Sequence, residues 1–159
     1  MTPVDVCLRP VQDDDLPVFW ELLTDPELQH MAAVTRDYHY DRAAFDRHWA
    51  RVRANDAVTL RTLLADGDVA GYIAVFGSAP DREVTYAIGR SHWGRGIATA
   101  ALAQMLRLER SRPLHAAAAS DNLGSIRVLQ KCGFSITNLS HGFARARGHD
   151  IGLTHLILS

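Results

Sequence analysis

The stretch from Glu83 to Arg110 restricts the fold more than any other part of the chain. Glu83 to Ile88 has the composition of a strand, and the turn that follows carries glycines at positions 89, 94 and 96. A helix pattern over Gly94 to Arg110 comes next, and its apolar face repeats every three or four positions: Ile97, Ala101, Met105 and Leu108. This order predicts a sheet with a helix packed on one face.

Further strands and helices are interspersed on both sides of this unit. Strands are predicted at 4–9, 58–64, 69–76, 113–119, 135–140 and 150–158, and Asp66-Gly67 is a hairpin turn signal. Helices are predicted after the acidic run at 13–15, from Tyr40-Asp41, and after Asp121 or Asn122. We therefore expect one domain over residues 1–159, of mixed α/β (α+β) class, with a partly antiparallel sheet.

Composition excludes several classes of protein. The chain has 159 residues, of which 47% are hydrophobic and 22% charged, as in ordinary globular domains. The N-terminus has no long apolar run, so neither a signal peptide nor a membrane span is expected. Cys7 and Cys132 lie far apart in the sequence, which favours a reducing cytoplasm. Eight histidines occur without an H-E-x-x-H pattern, and no metal site is predicted.

Charge is distributed unevenly between the two ends of the chain. Residues 1–30 carry seven acids and one base, whereas residues 82–147 carry ten bases and three acids. Such asymmetry predicts an anionic ligand for the C-terminal half. The bases are scattered singly and match no nucleic-acid-binding signature, so a small polyanion is favoured over nucleic acid.

The glycine turn supplies a place for that anion. Free N–H groups at the start of a helix, with glycines that let a phosphate approach, favour a bound phosphate group. The alternative is a turn that serves only to reverse the chain. Other phosphate loops fit less well, because Arg95-Gly96 replaces the Lys-Ser/Thr of a Walker loop and Thr99 replaces the third glycine of a dinucleotide fingerprint. A nucleophile elbow fails at Trp93.

Two blocks of sequence resemble a known family. Trp93 to Thr99 resembles the acyl-CoA pyrophosphate loop of the GNAT superfamily of N-acyltransferases, whose pattern is Q/R-x-x-G-x-G/A. Asn122 to Phe134 is similar to the N-x-x-S…K-x-G-F helix of the same superfamily. The opening Leu8 to Val11 fits the same plan. The branch that the chain most resembles is that of the ribosomal-protein-alanine N-acetyltransferases.

The resemblance implies a mixed, mostly antiparallel, V-splayed sheet flanked by helices, with acetyl-CoA as cosubstrate. It assigns the pyrophosphate to the amides of Gly94, Arg95, Gly96, Ile97 and Ala98, with the Thr99 hydroxyl in addition. It assigns the pantetheine amide to Asn122 and the adenosine phosphate to Lys131 or nearby arginines. The cofactor-binding set is completed by Ile88, Ser91, Trp93 and Ser125.

Two positions depart from the family pattern. Ser91 stands where the loop pattern has Gln or Arg, which weakens a side-chain contact but leaves the amides in place. Leu129 stands where many GNAT enzymes carry the tyrosine that protonates the departing thiolate. Ser125 is the nearest hydroxyl on the same helix and is the candidate acid; the alternative is a hydroxyl that contacts only backbone.

Acetyl transfer to an amine also requires a base, because only the neutral amine attacks a thioester. An α-amine of pKa about 7.8 is neutral in roughly a tenth of molecules at pH 7, so a modest base acting through water suffices. Glu83, at the start of the strand that leads to the loop, is the candidate. The alternative is a solvated carboxylate beside Arg82, and His92 is a weaker base candidate.

These residues predict an acetyl-CoA-dependent N-acetyltransferase that acts by direct attack in a ternary complex. The acceptor is a primary amine, either a protein N-terminal α-amine or a small molecule. The alternative is a non-catalytic acyl-CoA-binding or sensor domain of the same fold. Loops at Met31 to Tyr40 and His141 to His149 are expected to flank the acceptor, with Tyr38, Tyr40 and Asp41 recognising a cation. Edge strands near the C-terminus could pair in a homodimer.

Overall fold

The computed structural model describes residues 3–33 and 41–159, which form seven strands and five α-helices. The strands are β1 (Val6–Arg9), β2 (Thr59–Ala65), β3 (Asp68–Phe76), β4 (Glu83–Ile88), β5 (Leu114–Ala119), β6 (Ser135–Ala144) and β7 (His149–Leu158). The helices are α1 (Leu16–Leu23), α2 (Pro26–Ala32), α3 (Arg42–Ala54), α4 (Ile97–Leu108) and α5 (Leu123–Lys131). Short 3-10 turns cover Asp13–Asp15 and Arg90–His92.

The seven strands form one sheet in the order β1-β2-β3-β4-β5-β7-β6. Every neighbouring pair is antiparallel except β4 and β5, which run parallel. In the described part of the chain, the β4–β5 ladder consists of the single pair Glu83–His115. The C-terminal halves of β4 and β5 therefore separate, and we call this opening the splay. The predicted mixed, mostly antiparallel and splayed sheet is confirmed.

Helices cover the two faces of the sheet, and strand alternation decides which residues they meet. α4 and α5 pack on one face, where the core includes Ile73, Val84, Leu102, Met105 and Leu129. α1 and α3 pack on the opposite face of β2–β4 through an aromatic cluster. In that cluster, the Phe19 ring lies 5.1 Å from Trp49 and 5.2 Å from Tyr72, centroid to centroid. The helix that follows the acidic N-terminal segment, α1, and the helix that follows the glycine turn, α4, thus lie on opposite faces of the sheet.

Asp15 ties the N-terminal segment to the sheet. Its carboxylate is 2% exposed and accepts two hydrogen bonds from Arg9, at 2.7 and 2.8 Å, and one from the Thr62 hydroxyl at 2.6 Å. The Gln12 amide donates to it at 2.8 Å. Burial raises the pKa of Asp15, but the hydrogen bonds from Arg9, Gln12 and Thr62 outweigh it and lower the pKa to about 2.

Asp15→Asn is expected to lower the free energy of unfolding by about 2–3 kcal/mol at pH 7, because it removes the charge that balances Arg9. The folded-state pKa lies below the unfolded value of 3.8, so this stabilisation is present above pH 4 and lost as the pH falls towards 2. Urea unfolding between pH 7 and pH 2.5 should show the difference between wild type and variant shrinking over that window.

Asp13→Asn is the matched control for this change. Asp13 also pairs with an arginine, Arg53 at 2.7 Å, but its side chain is 91% exposed. A surface ion pair of this kind contributes less than about 1 kcal/mol. Equal losses in the two variants would contradict the role given to the buried carboxylate.

Several element boundaries differ from the sequence prediction. α2 was not predicted, although Asp25 caps it and Pro26 occupies its first turn. α4 begins at Ile97 rather than Gly94, because Gly94 and Gly96 adopt positive φ angles that no α-helix contains. β6 and β7 are longer than predicted, so most of the expected loop at 141–149 is strand and only 145–148 form the turn. Of the expected loop at 31–40, residues 34–40, with Tyr38 and Tyr40, lie outside the described residues.

Candidate active site

The segment that leads from β4 into the first turn of α4, residues 89–99, forms a compact corner at the open end of the splay. We call it the glycine corner. Gly94 has φ +74° and Gly96 has φ +75°, a backbone conformation that disfavours side chains. The Trp93 indole Nε1 donates to the Ile88 carbonyl at 2.8 Å, which ties the corner to the end of β4. Gly96 is the N-cap of α4, and Ile97 is buried beneath it. Local sequence therefore sets the backbone path of this corner.

The amides of this corner are free. Within residues 3–33 and 41–159, none of the backbone N–H groups at positions 94–99 donates a hydrogen bond to a protein acceptor. No atom lies within 4 Å of where a Cβ of Gly94 or Gly96 would stand, so the space before these amides is open. Together with the positive end of the α4 dipole, free amides and open space suit a diphosphate.

Arginines border the corner but are turned towards carboxylates. Arg90 Nε lies 3.3 Å from Asp25, and Arg95 lies 3.6 Å from Asp66 with 43% of its side chain exposed. Ser91 is exposed on the 3-10 turn. His92 stands on the same turn, and its Nδ1 is buried without a hydrogen-bond partner among the described residues. The backbone, rather than charged side chains, faces the predicted anion.

The N-terminus of α5 forms the second wall of the splay. Asn122 caps this helix: its Oδ1 accepts from the Ser125 amide at 3.2 Å, and its Nδ2 donates to the Met31 carbonyl at 3.1 Å. Asn122 thus links α5 to the end of α2, and the pantetheine contact predicted for it stays a prediction. Thr99 lies in the first turn of α4, and Lys131 lies at the far end of α5, about 13 Å of helix from Asn122.

Ser125 meets a tyrosine that the sequence analysis did not select. Its Oγ lies 2.9 Å from Tyr86 Oη, the phenol of the middle of β4. Burial raises the pKa of Tyr86. Leu129, at the position of the family tyrosine, is buried in the core and has no polar group. One available signal was strand alternation, because Tyr86 shares its face of β4 with the apolar Val84 and Ile88.

Glu83 lies on the opposite face of β4 from Tyr86. It is half-buried and lines an open cavity of about 330 Å³, together with Asp81, His115, Ala116, Thr137, Asn138, His155 and Leu156. Arg82 forms its ion pair with Glu109 and not with Glu83. Residues 83 to 88 span roughly 17 Å of strand, a length that an extended pantetheine arm covers from the glycine corner.

The β6–β7 turn is joined to α2 and to the start of α5 through Arg147. Arg147 donates through Nε to the His30 carbonyl at 2.9 Å and through its terminal nitrogens to both oxygens of Asp121. Its side chain is 7% exposed despite its position on a turn. The hydrogen bonds from Arg147 lower the pKa of Asp121. These contacts join α2, the start of α5 and the β6–β7 turn to one another.

The described residues contain no group of three or more histidine, cysteine or acidic side chains placed to hold a metal ion. None of their helices has the length and apolar character needed to cross a membrane.

Comparison with known proteins identifies the family. The model of the acetyltransferase (GNAT) domain matches residues 5–135, most of the chain. The chain therefore belongs to the GNAT acetyltransferases, and the resemblance carried by the two motifs is confirmed. No curated protein matches the chain significantly.

Solved structures with the same fold cover nearly the whole chain. A spermidine N-acetyltransferase from Vibrio cholerae, in complex with CoA and spermine, has a TM-score of 0.79 at 13% identity over 96% of this chain and 94% of that one. A ribosomal-protein-alanine N-acetyltransferase from Brucella melitensis has a TM-score of 0.81 at 19% identity, over 96% and 98%. RimJ of Mycobacterium smegmatis, in complex with CoA-disulfide, has a TM-score of 0.76 at 20% identity, over 98% and 86%. At these identities the likeness establishes the fold.

Proposed function

We propose that the protein transfers the acetyl group of acetyl-CoA to a primary amine by direct attack in a ternary complex. The observation that carries this proposal is the set of free amides at positions 94–99, which open onto the splay at the N-terminus of α4. Family membership and the CoA complexes of proteins with this fold support acetyl-CoA as the donor.

The glycine corner binds and orients the donor. Amides of Gly94 to Ala98 hydrogen-bond the diphosphate, and each charge-assisted bond contributes roughly 1.5–3 kcal/mol. The acyl end of the pantetheine arm then lies along β4, between Ser125 on one side and Glu83 on the other. Thr99, Asn122 and Lys131 complete the predicted contacts with the donor, and Ile88, Ser91 and Trp93 shape the corner.

The amine approaches from the side of β4 that carries Glu83. Glu83, free of Arg82, takes the proton that the amine loses, directly or through one water molecule. The carboxylates of Asp81 and Glu83 in the same cavity favour a cationic acceptor over an anionic one. A protein N-terminal α-amine and a small-molecule amine both meet this requirement.

Ser125 faces the sulfur side of the reaction and supplies a proton to the departing thiolate. A covalent route through cysteine is disfavoured, because Cys7 lies on β1 and burial raises the pKa of the Cys132 thiol. Both cysteines are free, consistent with action in the cytoplasm, and the exposed β6 edge could pair with a second copy in a homodimer.

A panel of amines tests this function. Thiol release from acetyl-CoA should be measured with N-terminal-alanine peptides, free amino acids, aminoglycosides and polyamines, and the acceptor examined by mass spectrometry for one added acetyl group. Turnover on at least one cationic primary amine is expected. Tight CoA binding without turnover on any amine would instead establish the non-catalytic acyl-CoA-binding alternative, which the lack of a tyrosine at Leu129 favours. Failure to bind CoA would overturn both.

A further inference from the structure

We infer that the Tyr86 hydroxyl is a positioning group that donates to Ser125 Oγ and so directs the serine proton towards the sulfur of the donor. The inference rests on the proposed acetyl transfer. In many GNAT enzymes, a tyrosine on the helix that corresponds to α5 protonates the departing thiolate. In this chain the phenol lies on β4 instead and acts through Ser125. Nothing in the family motifs marks position 86 for this role.

Either hydroxyl can donate across the 2.9 Å contact, and we assign the donor to the phenol, the more acidic of the two groups. Among the described residues, Tyr86 is the one side chain that hydrogen-bonds Ser125 Oγ. The next oxygen near Tyr86 Oη is the Ser125 carbonyl, at 3.5 Å. A serine hydroxyl in a helix otherwise rotates freely or donates back to the preceding turn. With Tyr86 donating to Oγ, the serine proton is left for an acceptor in the splay.

Burial keeps the Tyr86 phenol protonated and therefore able to donate. Its ring packs against the core under α4 and α5 and lies near Cys132. Because burial raises the pKa of Tyr86, the phenol stays protonated throughout the neutral range. A CoA-type thiolate is less basic than a phenolate, so Tyr86 does not give up its proton; it holds Ser125 Oγ by a hydrogen bond while the serine hydroxyl faces the developing charge on sulfur.

Every proton is accounted for without a further reactant. As the carbon–sulfur bond breaks, its electron pair stays on sulfur, and the Ser125 proton passes to sulfur while a solvent water protonates the serine oxygen. Tyr86 keeps its proton and hydrogen-bonds Ser125 Oγ throughout. The amine proton leaves to solvent through Glu83 on the other face of β4. The products are an amide and free CoA thiol.

Tyr86→Phe tests the inference, since it removes the hydroxyl and keeps the ring. We expect kcat to fall about 10- to 50-fold, while the KM for acetyl-CoA and the midpoint of urea unfolding change little. Tyr72→Phe is the matched control, because it removes a tyrosine hydroxyl from the opposite face of the sheet, and its kcat should stay within twofold of wild type. A wild-type kcat in Tyr86→Phe would overturn the inference alone, whereas a wild-type protein inactive on every amine would overturn the proposed function and the inference with it.

The double variant with Ser125→Ala separates positioning from a structural effect. If Tyr86 acts through Ser125, adding Tyr86→Phe to Ser125→Ala should cost no further activity. Multiplicative losses would overturn the inference.

As a second readout, 3,5-difluorotyrosine at position 86 keeps the shape of the side chain but makes the phenol more acidic. The alkaline limb of the pH profile of kcat should therefore move to lower pH. An unmoved limb would show that the phenol is only structural.

Discussion

Gly96→Val is expected to abolish CoA binding, with an increase in Kd of at least about 100-fold. Gly96 has φ +75°, and a β-branched residue in that conformation costs about 1–3 kcal/mol or forces the backbone to turn. Either outcome misdirects the amides of α4's first turn. Loss of two charge-assisted hydrogen bonds to a diphosphate costs about 3 kcal/mol or more, which corresponds to roughly 100-fold in affinity. Titration calorimetry with CoA measures it.

Gly148→Val is the matched control for this substitution. Gly148 has φ +72°, and, as at Gly96, no atom lies within 4 Å of where a Cβ would stand. It lies in the β6–β7 turn and supplies none of the amides of the glycine corner. We expect a similar loss of stability in the two variants but wild-type CoA affinity in Gly148→Val. Equal affinity for CoA in wild type and Gly96→Val would refute the diphosphate cradle, whatever the stabilities.

The second large effect is expected at the base. Glu83→Gln should lower kcat about 100- to 1,000-fold at pH 7, because general base catalysis typically contributes that much and glutamine cannot accept the proton. CoA affinity should not change, since Glu83 lies roughly 17 Å along the strand from the glycine corner. The deficit should shrink by less than about tenfold between pH 7 and pH 9 with an α-amine acceptor, because the neutral fraction of the amine rises only from roughly a tenth to nearly one.

Steady-state kinetics over this pH range measure the effect of Glu83→Gln. Glu21→Gln, which makes the same change in an exposed carboxylate of α1, is the control and should behave as wild type. A constant deficit at all pH values, or a loss of CoA binding, would show that Glu83 shapes the site rather than accepting a proton.

The glycine corner could be predicted because everything that forms it is local. Two glycines with positive φ, a tryptophan that reaches back to Ile88 and an apolar helix pattern all lie within 21 consecutive positions, 88–108. The start of α2 also has a local signal, Asp25-Pro26, but a helix of seven residues has only a weak periodic pattern. Short-range sequence signals thus explain why the glycine turn was predicted and why α2 was missed.

The contact between Tyr86 and Ser125 was not predictable in the same way. Tyr86 and Ser125 meet at 2.9 Å across 39 positions of sequence, because β4 and α5 face each other over the splay. Asn122 was assigned to the donor, yet its amide also holds the Met31 carbonyl, a contact that depends on where α2 packs. Glu83 was predicted as the base from its place at the start of β4, but only the fold shows that it lies on the face of β4 opposite Tyr86.

The amino-acid sequence by itself determined the strand–turn–helix unit, the glycine turn and the family, because these depend on periodicity, glycine conformation and neighbours in the chain. The tertiary structure alone decided that the Tyr86 hydroxyl stands beside Ser125, that the Asp15 carboxylate is buried, and that Arg147 joins three segments of the chain. Those arrangements come from packing two helical layers on a twisted sheet. Contacts between residues far apart in the chain follow from burial of the whole core, and no short pattern encodes them.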